Sequence, residues 1–264
     1  MKILATDYDN TLKRKKVSKQ DLEAIARFRR EGNKFGIVTA RSINMIKTSL
    51  KYYKVDYDFI VGINGGIILN AHNEILYHRL FDYQTALKII DDLKSQKADI
   101  CGFCDGIRYT RLAFKKKPFN FIRAFVLGLK ASKRKKILKT ERIASFFILD
   151  DNVKKVNELY QHFLNDYDDI SVFKNGTNIV DISAFDVSKA RAVRFLADYY
   201  QADHVYTIGD SMNDLDMISE FNGFAVSTAE DEIKDIAKQI FDDFVSLITY
   251  IDNDESNYHL WKNR

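Results

Sequence analysis

Two carboxylates one residue apart, Asp7 and Asp9, follow directly on the apolar run Ile3-Leu4-Ala5. Such a pair suits an in-line attack on phosphorus. One carboxylate serves as nucleophile with its charge partly held by a metal, and the other gives a proton to the leaving oxygen and later takes one from water. The same residue types are ordinary turn formers, so Asp7-Tyr8-Asp9-Asn10-Thr11 taken alone also reads as a strand-to-loop turn.

Three further segments repeat the pattern of an apolar run ending in polar residues. Phe35-Gly36-Ile37-Val38 ends at Thr39-Ala40-Arg41, which offers a hydroxyl and, at the following helix start, backbone N–H groups suited to a phosphate oxygen. Ser188-Lys189 opens the amphipathic stretch from Ala190 to Tyr200 and sets an ammonium at a helix N-terminus. The helix dipole disfavours a cation there, so a nearby anion is expected. His204-Val205-Tyr206-Thr207-Ile208 ends in Gly209-Asp210-Ser211-Met212-Asn213-Asp214, whose oxygens form a candidate hard-cation site. Each residue also has a plainer reading: Thr39 as a helix-entry residue, Lys189 as a solvated charge, Asn213 and Asp214 as helix caps.

Together the four segments resemble the haloacid dehalogenase-like phosphatase superfamily, and within it the Cof-type group. The Asp-x-Asp-x-Thr motif falls on Asp7, Asp9 and Thr11, the strand-end Ser or Thr on Thr39, and the helix-opening Lys on Lys189. Gly-Asp-x-x-Asn-Asp falls on Gly209, Asp210, Asn213 and Asp214, and Asn64-Gly65-Gly66 is similar to the group's Asn-Gly segment. The order covers essentially the whole chain. One departure is Asn10, where the family has Gly. Asn tolerates the positive φ angle that Gly would provide, so the turn is expected to survive.

The resemblance implies an α/β fold: a Rossmann-like parallel-sheet core from residues 1–81 and 184–264, with an α/β cap inserted at residues 82–183. It implies hydrolysis of the phosphate monoester of a small metabolite, a sugar phosphate or similar, with Mg2+ and through an aspartyl phosphate. Asp7 would be the nucleophile and Asp9 the general acid and base. Thr39, Ala40 and Lys189 would hold phosphoryl oxygens. Magnesium would lie on Asp7, the Asp9 backbone carbonyl and Asp210, with Asp214 on its waters. Asn64, Gly65 and Asn213 would add phosphate or substrate contacts. A phosphotransferase or mutase on the same scaffold, or a receiver-like phospho-switch, are the rival readings. A receiver module is much shorter and carries adjacent acidic residues.

The elements that must position these residues can be read from the pattern. A helix begins at Ser18, buries Leu22, Ile25, Ala26 and Phe28, and stops at Gly32. A second covers Ser42 to Tyr53, before a strand at Phe59-Ile60-Val61. This alternation calls for a parallel sheet whose ligands bind at the carboxyl ends of the strands. From about Asp82 the pattern changes. Helices at Tyr83 to Leu93 and Val153 to Leu164 alternate with strands at Ile100 to Phe103, Ile107 to Thr110, Ile143 to Leu149 and Ile170 to Phe173. Crossings near Phe81 and Ile182 are the expected hinges. A strand at Phe224-Ala225-Val226 and a helix near Phe241 to Ile251 close the core.

The 264 residues suggest two domains, and 46% hydrophobic content suffices for a packed core. No apolar run approaches the roughly 20 residues of a membrane span. The first strand starts almost at Met1, which leaves no room for a signal peptide, so a cytoplasmic protein is expected, monomeric or weakly dimeric. Net charge is +4, with Lys and Arg dense at Lys115-Lys116-Lys117 and from Lys130 to Arg142. Without aromatic interleaving, those runs read as solvated faces, not as a nucleic-acid site. Cys101 and Cys104 have C-x-x-C spacing, yet on a strand their thiols would diverge, and zinc would want four ligands. Two reduced thiols are expected.

Overall fold

The computed structural model describes residues 1–115, 120, 122 and 134–254. Strand β1 (Lys2–Thr6) is central, and its Ile3, Leu4 and Ala5 are wholly buried. Burial on both faces is why it reads as a continuous apolar run. Helix α1 (Lys19–Arg30) starts where the Ser18 hydroxyl accepts from Asp21 N at 3.0 Å, and it buries Ala24, Ile25 and Phe28. Strand β2 (Lys34–Val38), α2 (Ile43–Tyr53) and β3 (Phe59–Gly62) follow. Strands β1, β2 and β3 pair in parallel, as the alternation requires.

The next two strands were not anticipated. At Ile63, Asn64 and Gly65 three successive residues take positive φ, and the chain reverses so tightly that β4 (Ile67–Asn70) pairs antiparallel with β3. Strand β5 (Ile75–His78) then pairs antiparallel with β4. The parallel sheet therefore carries an antiparallel edge.

The middle of the chain forms a second sheet of its own. It contains β6 (Ile100–Cys104), β7 (Tyr109–Phe114), β8 (Ser145–Leu149), β9 (Ile170–Asn175) and β10 (Ile179–Ala184), in the order β7-β6-β8-β10-β9 and antiparallel throughout. Helices α3 (Tyr83–Ser95), α4 (Arg134–Thr140) and α5 (Val153–Asp166) accompany it, and a shared apolar cluster includes Ile89, Ile137, Phe163 and Ile182.

Several boundaries differ from the sequence expectation for local reasons. The strand expected at Ile107 starts at Tyr109, because Asp105 Oδ1 accepts from the amides of Ile107 and Arg108 at 2.9 and 2.7 Å and prolongs the turn. Ile143 lies outside β8, where its carbonyl instead accepts from Phe81 N at 2.8 Å. Strand β10 was missed, and Ile182 sits inside it, paired with Phe146 and Val172. The return crossing lies after Ala184.

After the crossing come α6 (Lys189–Tyr200), β11 (His204–Gly209), α7 (Leu215–Glu220), β12 (Asn222–Val226), α8 (Asp231–Ile236), β13 (Ile240–Phe241) and α9 (Phe244–Asn253). The last helix begins later than expected, since Ile240 and Phe241 pair with β12 and Asp243 caps the helix by accepting from Ser246 N at 2.7 Å. The core sheet runs β13-β12-β11-β1-β2-β3-β4-β5. No helix of the described residues is long and apolar enough to cross a membrane. Lys116, Lys117 and residues 130–133 of the basic runs lie outside the described residues. Lys135 and Lys136 are exposed, while Lys115 pairs with Asp99 at 3.3 Å.

Cys101 and Cys104 are free and buried on β6, and their side chains part as strand geometry demands. Cys101 packs into the helix-covered cluster of the second sheet, Cys104 into the cluster of the core sheet. Burial pushes the Cys101 thiol up to about 11 and that of Cys104 well above the usual range. The native protein should therefore not react with 5,5′-dithiobis(2-nitrobenzoate) at pH 8, while guanidinium unfolding should release both of its 2 thiols. A fast native reaction would contradict this burial.

Candidate active site

Register brings the acidic residues together. Strands β1 and β11 are parallel with Thr6 opposite Ile208, and Asp7 N continues the ladder to Ile208 O at 2.9 Å. Asp7 and Asp210 thus leave adjacent strand ends side by side. Beyond Asp7 the chain turns through Asn10 at φ 61°, the positive angle expected for that position. The turn directs the Thr11 hydroxyl to Asp210 Oδ1 at 2.7 Å.

Lys189, the first residue of α6, is 1% exposed and donates to Asp7 Oδ1 at 2.7 Å and Asp214 Oδ1 at 2.6 Å. The anions anticipated for a cation at a helix N-terminus are these carboxylates. Asp214 Oδ2 accepts from the amides of Asp210 and Ser211 at 3.0 and 3.3 Å, so the cap reading of Asp214 holds alongside the ion pair. Two glycines permit the arrangement. A Cβ on Gly209 would stand 2.5 Å from Asp214 Cγ, and one on Gly65 would stand 2.2 Å from Ser188 O.

Oxygens of Asp7, Asp210 and Asp214 lie within 4.8 Å of one another, with one buried ammonium among three carboxylates. Burial and the surplus negative charge both favour protonated carboxyls here. Burial raises the Asp7 carboxyl well above the usual range, with Asp214 and Asp210 adding to the rise against Lys189. Burial also pushes Asp210 up to about 6, opposed by the Thr11 hydrogen bond. Burial opposes the Lys189 charge, but Asp214 and Asp7 outweigh it and hold the ammonium firmly protonated. An all-oxygen set short of positive charge suits a hard divalent cation such as Mg2+.

Asp7, Asp9, Thr39, Ala40, Asp210 and Asn213 line one cavity of about 530 Å³. Lys189 and Asp214 stand behind Asp7. Asn64 and Gly65 are not among the lining residues: Asn64 Oδ1 accepts from Asn213 Nδ2 at 3.4 Å, and Gly65 packs on Ser188. The expectation for the helix after Thr39 needs correction. The amides of Ile43 and Asn44 donate to the carbonyls of Gly106 and Ile107, both at 3.1 Å, so the turn between β6 and β7 already occupies that helix end.

Arg41 has a role that the sequence did not disclose. Its Nε and Nη2 donate to the two Asp9 oxygens, each at 2.6 Å, and its guanidinium lies 5.3 Å from the Tyr8 ring centroid. Its place two residues after Thr39 puts a cation at that strand end but does not show which carboxylate it grips. Tyr109, Phe147, Leu149, Asn175, Ile179 and Asp181 form the second sheet's side of the cavity. Asp181 had left a signal, an acid inside the apolar run Ile179-Val180-Asp181-Ile182.

Known proteins share this fold. Residues 4–244 match the model of a family described as haloacid dehalogenase-like hydrolase. A haloacid dehalogenase-like hydrolase of Bacteroides thetaiotaomicron superposes with a TM-score of 0.79 at 20% identity, covering 95% of this chain and 99% of that one. A subclass IIB sugar phosphatase of the same superfamily superposes with a TM-score of 0.76 at 15% identity, covering 96% and 99%. A Haemophilus influenzae protein named "Putative phosphatase" is 35% identical over 74 residues, which is 27% of this chain and 28% of that protein's length. With a family match across nearly its whole length, and with that family's two-sheet architecture, the chain belongs to the haloacid dehalogenase-like hydrolases.

Proposed function

We propose that the protein is a phosphatase that hydrolyses the phosphate monoester of a small metabolite with Mg2+ bound. The observation that carries this reading is the Asp7 carboxylate, which lines the cavity while Lys189 holds one of its oxygens at 2.7 Å. Bound magnesium, held by Asp7 and Asp210, would supply positive charge to balance the phosphoryl oxygens. Residues 1–81 and 184–264 would form the catalytic core, and residues 82–183 the cap that reads the leaving group. We place the protein in the cytoplasm, acting without nucleic acid or membrane.

In the first step an Asp7 oxygen bonds to phosphorus while the ester P–O bond breaks, and the leaving oxygen takes a proton from Asp9. In the second, Asp9 removes a proton from water, the water oxygen bonds to phosphorus, and the P–O bond to Asp7 breaks. Both Asp9 oxygens accept from Arg41 here, so Asp9 must yield at least one of those bonds before it reaches a leaving oxygen. The Thr39 hydroxyl and the Ala40 amide would hold the phosphoryl oxygens, where preorganised donors act most strongly.

Three measurements test this reading. Asp7→Asn keeps the shape and removes the nucleophile, so kcat should fall at least about a thousand-fold in a variant that still shows a cooperative melt. Asp9→Asn should stop hydrolysis of alkyl esters, yet with p-nitrophenyl phosphate it should give a burst of about one phenolate per site, read by rapid quench, and an accumulated phospho-Asp7, read by mass spectrometry. Magnesium should raise the melting temperature of the wild type and not that of an Asp7→Asn, Asp210→Asn double variant. Equal shifts in both would place the ion elsewhere.

A further inference from the structure

The cavity wall that faces the nucleophile comes from the second sheet. Along β10, Val180 and Ile182 pack into that sheet's helix-covered cluster, so Asp181 between them points the other way, into the cavity. It stands opposite Phe147 on β8 and Phe173 on β9, and it is 6% exposed. A buried ionised carboxylate has about four acceptor positions to fill. Asp181 receives a long bond from Asn175 Nδ2 at 3.4 Å and a contact from the Asn64 amide, with the Lys189 charge nearby. Its remaining acceptor capacity faces the space where a leaving group would sit.

The surroundings restrict what that group can be. Tyr109 and Phe147, edge to face with centroids 5.1 Å apart, give the cavity an aromatic wall suited to the C–H face of a sugar or polyol. The charges are one-sided. Arg41 is the one cation among the described lining residues and is held by Asp9, whereas Asp9, Asp181, Asp210 and Glu230 are acidic. A second anionic group on the substrate would meet several carboxylates, with Arg41, shared with Asp9, as the one described lining cation to offset them.

Building on the phosphatase reading, we propose that Asp181 is the residue through which the cap selects substrate, bonding to hydroxyls of a neutral polyhydroxylated leaving group and disfavouring esters that carry a second anion. Burial pushes its carboxyl up to about 7, against the bonds from Asn175 and Asn64 and the charge of Lys189. A carboxyl so balanced can accept from one hydroxyl or donate to another at small cost.

The test measures kcat/KM of the full chain with magnesium on three kinds of ester. Glucose 6-phosphate, ribose 5-phosphate and sorbitol 6-phosphate are neutral beyond the phosphate. 6-Phosphogluconate and fructose 1,6-bisphosphate carry a further anion, and p-nitrophenyl phosphate lacks hydroxyls. The best neutral ester should exceed both anionic ones by at least about tenfold in the wild type. In Asp181→Asn and Asp181→Ser, the value for that ester relative to p-nitrophenyl phosphate should fall about 10- to 100-fold, and the discrimination against the anionic esters should shrink. Anionic esters turned over as fast as neutral ones would overturn the proposal on the wild type alone, whatever the variants' stability. So would folded variants in which all esters keep their wild-type ratios. If p-nitrophenyl phosphate is hydrolysed and these ratios do not move, the selection by Asp181 fails and the phosphatase reading stands. A wild type inert toward all six esters removes both.

Discussion

One buried ammonium among three carboxylates is the constraint around which this chain is arranged. Lys189 is buried away from solvent, and its charge is tolerable only because Asp7 and Asp214 lie within hydrogen-bond distance. Satisfying that requirement ties together places far apart in sequence: the end of β1, the start of α6 and the turn after β11. It also dictates small residues nearby. Gly65 lets the turn after β3 lie against the backbone of Ser188, and Gly209 lets the Asp214 carboxylate fold under its own strand end. The positive end of α6 alone would repel Lys189, so the helix can start there only with those acids in place.

The second sheet contributes by the alternation of strand side chains. One row packs under helices: Cys101 and Phe103 on β6, Phe146 and Ile148 on β8, Val180 and Ile182 on β10. The intervening row faces the core, and it includes Cys104, Phe147, Leu149, Ile179 and Asp181. The two-residue period that separates the thiols also puts an acid and an aromatic ring into the wall of the cavity that Asp7 lines. A single-residue slip of β10 would turn Asp181 into the apolar cluster, so the pairing with β8 and β9 fixes the wall's chemistry.

Much of this was legible in the chain itself. Asp7, Thr39 and Asp210 each stand where an apolar run gives way, and parallel strands collect such ends at one edge, while Lys189 opens a helix. The positive φ at Asn10 followed from the family's Gly at that place and the tolerance of Asn for the same angle. What stayed hidden depends on partners distant in sequence. Strand β4 looks like a loop exit until the turn at Ile63, Asn64 and Gly65 folds it back onto β3. The grip of Arg41 on Asp9 spans two loops, and nothing in their spacing pairs them. Asp181 could have been suspected as an acid in an apolar run, but only the face it occupies gives it meaning. Gly65 entered as a substrate contact only through its likeness to the family's Asn-Gly segment, and its own packing against the Ser188 backbone had no signal in the sequence.

The first turn of α2 has a consequence for how the two sheets can move. Its amides at Ile43 and Asn44 are held by the carbonyls of Gly106 and Ile107, and the Tyr109 hydroxyl donates to Ala40 O at 3.2 Å beside Thr39. These donors, at the positive end of a helix, cannot serve two acceptors at once. Lifting the β6–β7 turn would bare them to water or to any anion at the rim, and an anion bound there would oppose the turn's return. Position of the second sheet and occupancy of that helix end would then be thermodynamically linked as competitors, each weakening the other by the same factor.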